Sequence, residues 1–205
     1  MAAATARAHS FDSFAHQPPA EASDLARLGE IVRDFSFGRK DVVLSSGNPS
    51  TFYFDMKPSM LNPEGASLIA KLIFDQCRAV HAELVGGLEM GAVPITGAVC
   101  LHSFKEGSPI DGYFVRKKAK EHGAKKLVEG LAPGVSVKGK RVVIVDDVTT
   151  TGKSALQVVT ALREEGAEVV LAISIVDREE GAIANFEAEG ITLVPLLTAS
   201  RFLNG

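Results

Sequence analysis

The run from Arg141 to Ser154, RVVIVDDVTTTGKS, constrains this chain more than any other stretch. It carries four consecutive β-branched apolar residues, Val142, Val143, Ile144 and Val145. An apolar run without alternation reads as a strand buried on both faces, as in a parallel sheet. The run ends in two adjacent carboxylates, Asp146 and Asp147. Strand side chains alternate between faces, so neighbouring acids reach one ligand only where the pleat breaks. They are therefore expected at the strand's C-terminal edge, where open α/β sheets bind ligands. Thr149, Thr150, Thr151 and Gly152 follow, and then Ala155, Leu156, Val158, Val159 and Leu162 at helical spacing.

A strand, a short polar loop and a helix start make an anion site. Unpaired N–H groups and the helix dipole favour negative charge there. Threonine hydroxyls add donors, and Gly152 lets the backbone approach a ligand closely. The carboxylates beside this cradle suit hydroxyls or a hydrated cation, and a ribose 5-phosphate offers both hydroxyls and phosphate. Gly152-Lys153-Ser154 resembles the end of a nucleotide-binding P-loop, but that motif needs a glycine five residues earlier, where Asp147 stands. The bland alternative, a buried strand capped by solvated acids, leaves the Thr-Thr-Thr-Gly loop unexplained.

The 205 residues suffice for one α/β domain, and 46% hydrophobic with 23% charged residues is ordinary for a globular protein. A net charge of −3 argues against a dedicated nucleic-acid binder. No apolar stretch approaches the roughly 20 residues that span a bilayer. Cys77 and Cys100 fall in apolar helical patterns without metal-ligand spacing. They read as buried thiols in a reducing compartment, the cytoplasm.

Residues 1–20 are rich in Ala, Ser, His and Pro and read as a poorly ordered tail. A transit peptide is disfavoured, since Arg7 is the lone arginine there and Asp12 is acidic. Residues 21–205 read as one domain. A helix is expected from Ser23, ended by Gly38. Short strands are expected over 41–44 and 51–55, around the turn 45–50. Asn62-Pro63-Glu64 predicts a helix start, with the helix running to Val80. Strands are expected over 84–87, 112–115, 127–128, 168–176 and 191–197, and helices over 93–104 and 179–189. Strands alternating with helices imply an α/β fold with a mainly parallel central sheet flanked by helices. Strand order does not follow from this pattern.

Between Tyr113 and Lys126 the chain carries six Lys or Arg residues and one His, with Glu121 its sole acid. A solvated loop or a nucleic-acid patch is the bland reading. The segment nevertheless follows a strand whose C-terminal end should share a rim with Asp146 and Asp147. Like charges so crowded should order only around an arriving anion. Arg178, after the long strand 168–176, can grip a carboxylate through two hydrogen bonds, or simply pair with Glu179 or Glu180.

The segment Val142–Ser154 resembles the phosphoribosyl-pyrophosphate (PRPP) motif of type I phosphoribosyltransferases. The resemblance implies that Asp146 and Asp147 hold the ribose 2- and 3-hydroxyls. Val148, Thr149, Thr150, Thr151, Gly152, Lys153 and Ser154 would form the loop that holds the 5-phosphate. Arg116, Lys117, Lys120, His122 and Gly123 match the Arg-Lys-x-x-Lys-x-His-Gly loop of the family's orotate-using members. There the loop is flexible and closes over pyrophosphate. Lys120 would be its main catalytic group, with Asp147 the catalytic carboxylate. Ser46-Gly47, Ser50, Tyr53, Asp55 and Lys57 resemble the N-terminal substrate loop of a small hood, and Asp177-Arg178 the orotate-binding strand end. Ser46, Lys57, Thr150 and Arg178 would then contact orotate. Two positions depart from the pattern: Ser45 and Met90 stand where many relatives carry lysines. Lys57 or backbone groups are expected to replace the first, and backbone N–H groups of the 88–94 loop the second.

The resemblance implies transfer of ribose 5-phosphate from PRPP to orotate, giving orotidine 5-monophosphate and pyrophosphate in pyrimidine (UMP) biosynthesis. It further implies Mg²⁺ held mainly by PRPP and water rather than by protein ligands, and a homodimer sharing the catalytic loop. Two alternatives remain at this stage. One is a phosphoribosyltransferase for another base, although 177–179 offers no aromatic platform for a purine. The other is a PRPP-sensing regulator, although such a protein has no need of the catalytic loop.

Overall fold

The computed structural model describes residues 19–43, 49–117 and 127–204. The core is a six-stranded sheet in the order β5-β4-β3-β6-β7-β8. Its strands are β3 (Leu84–Leu88), β4 (Asp111–Val115), β5 (Val128–Glu129), β6 (Arg141–Thr149), β7 (Glu168–Asp177) and β8 (Leu193–Thr198). All neighbours pair in parallel except β4 and β5, which are antiparallel. Two further strands, β1 (Phe37–Val43) and β2 (Pro49–Phe54), form a separate antiparallel hairpin, the hood. The helices are α1 (Pro19–Phe35), α2 (Lys57–Leu61), α3 (Pro63–Ala79), α4 (Ala92–Lys105), α5 (Lys153–Glu164), α6 (Ala182–Ala188) and α7 (Ser200–Leu203).

Strand β6 shows why its sequence has no alternation. Val143 and Val145 enter one core with Leu28, Ile69, Ile73, Ile95 and Val99, from α1, α3 and α4. Val142 and Ile144 enter a second core with Val158, Leu162 and Phe186, from α5 and α6. Each face of the sheet thus receives every second residue, and both faces are apolar.

The expected elements form, with informative differences at their ends. Asn62 caps α3 as expected, its Oδ1 accepting from the Gly65 N–H at 2.9 Å. Helix α1 begins at Pro19, four residues before the expected Ser23 and inside the stretch read as a tail; residues 1–18 lie outside the described residues. Gly38 does not end that helix. It lies within β1 opposite Tyr53, and a Cβ there would stand 2.5 Å from the Tyr53 ring. Of the two cysteines expected to be buried, Cys77 is, whereas Cys100 is half-buried. Burial pushes the Cys77 thiol up to about 12. Helix α6 starts at Ala182 rather than 179, because Glu179 and Gly181 take positive φ values of 62° and 98° and turn the chain first.

Two glycines let β3 lie close to its neighbours. A Cβ on Gly86 would fall 2.0 Å from the Tyr113 carbonyl oxygen, and one on Gly87 2.1 Å from that of Val145. Gly87→Ala is therefore expected to cost at least about 2 kcal/mol and lower Tm by roughly 4–8 °C. Thermal unfolding of the variant checks this, and an unchanged Tm would show that β3 has room to shift.

Candidate active site

Strands β3 and β6 part before β6 ends. Their pairing stops at Gly86 and Ile144, whereas β6 goes on pairing with β7 as far as Thr149 and Asp177. Beyond Ile144 the ladder with β3 gives out, although Gly87 still abuts the Val145 carbonyl, and from Asp146 onward β6 pairs with β7 alone. From β3 the chain proceeds to β4 on one flank, and from β6 to β7 on the other, so the gap lies at the switch point of the strand order. A cavity of about 670 Å³ opens there, lined by Leu88, Glu89, Met90, Gly91, Lys117 and the continuous run 146–154.

Both carboxylates line this cavity, yet the pleat break expected beside them is absent from the β6–β7 register, which runs unbroken from Val143 to Thr149 and shifts only between Val142 and Val143. Val145 and Val148 are three residues apart, yet both pack on the core that contains Val143. On β7 the neighbours Ile175 and Val176 likewise both enter that core. The strand itself does not end at the acids; it continues to Thr149. Asp146 Oδ1 accepts from the Asp147 N–H at 3.1 Å, and Asp147 Oδ1 accepts from the Val148 N–H at 3.0 Å. Each carboxylate is thus held by its own backbone and keeps further lone pairs for a ligand. Burial, and secondarily the Asp147 charge, pushes the Asp146 carboxyl up to about 7, and Lys117 opposes the shift weakly. Gly91 lets the start of α4 approach: a Cβ there would lie 2.5 Å from Asp147 Oδ1.

The phosphate cradle follows. Thr149 is buried, and its Oγ1 has no hydrogen-bond partner among the described residues. Its carbonyl accepts from the Arg178 N–H at 2.9 Å, and the Thr151 carbonyl accepts from Asn185 Nδ2 at 2.8 Å. Gly152 takes φ +74° immediately before α5, and its approach to the Phe186 ring leaves no space for a Cβ. Val148, Thr150, Lys153 and Ser154 line the same wall.

The remaining predicted residues divide. Lys117 reaches the cavity, and its N–H donates to Glu89 Oε1 at 3.0 Å. Arg116 does not line it; its guanidinium lies 3.6 Å from Glu129, and its N–H donates to the Leu127 carbonyl. Lys120, His122, Ser45 and Ser46 lie outside the described residues. Lys57 is not among the lining residues; it pairs with Asp55 at 2.8 Å. That pairing, with a smaller contribution from Asp147, raises its pKa. Met90 lines the cavity and is 70% exposed.

Arg178 is not open to the cavity. Its side chain is 2% exposed, and Nε donates to Glu180 Oε1 at 2.8 Å. Its Nη2 donates to Ser50 Oγ at 2.9 Å, Nη1 approaches the Phe52 carbonyl at 3.5 Å, and Cζ stands 4.1 Å above the Phe52 ring. The ion pair with Glu180, one of the two bland alternatives, thus forms alongside contacts to the hood. Phe52 was not among the expected site residues, whereas Glu89 and Gly91 belong to the 88–94 loop that was. Phe52 carried no local signal, because its partner Arg178 lies 126 positions away, just past the end of β7.

The phosphoribosyl transferase domain family matches residues 61–187. The chain is 54% identical over 179 residues to an orotate phosphoribosyltransferase of Rhodopseudomonas palustris, covering 87% of this chain and 96% of the relative. The chain belongs to the orotate phosphoribosyltransferase family. Its fold matches the crystal structure of the Mycobacterium tuberculosis family member in complex with PRPP. The TM-score is 0.71 at 36% identity, covering 87% of this chain and 98% of that one. Adenine phosphoribosyltransferase of Leishmania donovani has the same fold at 20% identity, with TM-score 0.64 and coverage of 85% and 80%. Fold alone therefore does not choose the base within these enzymes.

In this family member the raised Asp146 pKa fixes the sign of a stability effect. The folded state holds the Asp146 proton more tightly than the unfolded chain, whose aspartate titrates near ~4. Below that pH both states are protonated and the burial costs nothing. As pH rises through about 7 the cost appears in full. Asp146→Asn is expected to raise the Tm of the ligand-free protein more at pH 8 than at pH 5. An equal gain at both pH values would place the titration elsewhere.

Proposed function

We propose that this chain transfers the 5-phosphoribosyl group of PRPP to orotate, giving orotidine 5-monophosphate and pyrophosphate in UMP biosynthesis. The observation that carries the reading is the crevice itself. Two adjacent carboxylates and a threonine-glycine cradle at a helix start share one cavity of about 670 Å³. Kinship with orotate phosphoribosyltransferases at over half identity supports orotate as the base.

In the reaction the bond from ribose C1 to the pyrophosphate oxygen breaks, a bond from C1 to an orotate ring nitrogen forms, and the proton of that nitrogen passes to the departing pyrophosphate. Between the two, the ribose is oxocarbenium-like. Asp146 and Asp147 accept the hydrogen bonds of the 2- and 3-hydroxyls and place negative charge near the cationic ring. Thr149 Oγ1, Thr150, Thr151 and the N–H groups of 152–154 hold the 5-phosphate. Lys117 at the rim, with Lys120 and His122, neutralises the departing pyrophosphate, and Arg116 joins them on leaving Glu129. Arg178 holds the orotate carboxylate, and Ser46 and Lys57 complete that side.

The two carboxylates fit a hydrated cation carried in with the substrate: Asp146 lacks a compensating positive partner strong enough to keep its pKa low. Among the described residues no group of three or more His, Cys, Asp or Glu gathers to hold a metal. Mg²⁺ would supply charge neutralisation on the pyrophosphate, and EDTA should abolish turnover. A homodimer that shares the 116–123 loop is supported by the apolar outer face of α4, where Leu101 is 58% and Phe104 73% exposed. Sedimentation showing a monomer at assay concentration would overturn it. Free cysteines fit a cytoplasmic setting, and no described helix is long and apolar enough to cross a membrane.

The deciding experiment follows orotate absorbance with enzyme, Mg²⁺ and PRPP, beside reactions offering adenine, hypoxanthine or uracil. PRPP-dependent loss of orotate alone is expected. Turnover of another base would move the error to Arg178, and tight PRPP binding without turnover would make the chain a sensor. Lys120→Ala is expected to lower kcat by about 10²-fold or more with a smaller effect on PRPP binding. Asp147→Asn should weaken PRPP binding, and an unchanged Kd by calorimetry would remove the ribose role from that residue.

A further inference from the structure

Arg178 follows the last residue of β7, and its guanidinium is closed in on several sides. A guanidinium this buried needs a countercharge, since an unpaired one costs several kcal/mol. Glu180 supplies it at 2.8 Å from Nε, and its own side chain is 29% exposed. The backbone brings Glu180 there by design of the turn: Glu179 and Gly181, on either side, both have positive φ. Glu179 is tied down in turn, its Oε2 accepting from the Ser200 N–H at 2.6 Å.

The hood supplies the other contacts. Ser50 Oγ and the Phe52 carbonyl take N–H groups from the two terminal nitrogens, and the Phe52 ring lies under the plane. A cation over an aromatic face at this distance is attracted by the ring quadrupole. Three of the guanidinium's N–H donors are thus directed by protein, out of about five in all. With 2% of its side chain exposed, Arg178 has no freedom to turn toward a ligand. A planar carboxylate must meet it in the orientation that these partners set, because bidentate pairing depends on the plane.

We infer that Glu180 and Phe52, with Ser50, are positioning residues that aim Arg178 at the carboxylate of the base. The base site is therefore shared between the hood and the sheet edge, and selection of an acidic base depends on residues that need not touch it. The inference rests on orotate as the substrate.

Steady-state kinetics of wild type, Glu180→Ala, Glu180→Gln and Phe52→Leu test it, with Tm recorded for each. Glu180→Ala is expected to raise KM for orotate by about tenfold or more, with kcat and KM for PRPP within about twofold. Glu180→Gln should recover much of the loss, because its amide oxygen still accepts from Nε. Phe52→Leu keeps apolar bulk, removes the π face and should raise KM for orotate selectively; it decides the matter if Glu180→Ala does not fold. Unchanged KM for orotate, tighter orotate binding, or equal losses for both substrates with a lower Tm would each overturn the positioning role. Tighter binding would make Glu180 a competitor for the guanidinium, and equal losses would make it structural. A wild type that consumes no orotate takes this inference down with the substrate reading. A wild type that does, beside an indifferent Glu180→Ala, takes down the positioning alone.

Discussion

The ending of the β3–β6 ladder at Ile144 governs the rest of the molecule. Up to that point β6 is a core strand with a neighbour on each side and an apolar layer on each face. Past it, the same strand borders a gap. Polar side chains there meet a cavity rather than a core, so two carboxylates and a run of threonines are tolerated within a few residues of the most apolar part of the chain. The close approach of β3, possible only for glycines at 86 and 87, keeps the two strand ends near enough to form opposite walls. Burial and charge at this gap explain the high Asp146 pKa without invoking anything outside the pair and its setting.

A second dependence runs between the hood and the sheet. Arg178 belongs to the sheet edge but takes Ser50 and Phe52 from the hood as partners. Phe52 in turn packs in an aromatic group with Phe37, Phe54 and Phe202, with ring centroids 5.2–6.4 Å apart. Such pairs favour tilted and edge-on geometry, as seen here, and resist sliding. The hairpin is a two-stranded unit, marginal by itself, and this packing fixes it over the crevice.

The central motif was legible because its signals are local. A β-branched run, adjacent acids and a Thr-Gly loop lie within fourteen residues of one another. The expectation of a pleat break at adjacent carboxylates required only the period of a strand; both acids do line one cavity, but the irregularity in β6–β7 pairing lies at Val142 and Val143. The capping of α3 by Asn62 was readable for the same reason. What escaped notice depends on long-range contact. Nothing near Gly38 marks it as the site of Tyr53's approach, so it passed for a helix terminator. Nothing near Phe52 announces a guanidinium 126 positions away. Helix α6 starts late because Glu179 and Gly181 take positive φ, and periodicity alone does not register that turn. The strand order, set by which apolar faces fit together, carried no local mark either.

The aromatic group also orders events in time. Phe37, Phe52 and Phe54 are made early, whereas Phe202, which packs on two of them, belongs to α7 near the other end of the chain. Arg33 and Arg39 reach the same late segment, donating to the carbonyls of Arg201 and Leu203. As the polypeptide leaves the ribosome, β1 and β2 have each other but not this far-side packing, so their rings stay open to water or to other chains. The hood's packing must then wait for the last described helix, and a nascent chain stalled before Phe202 would leave Phe37 and Phe54 without that ring against them.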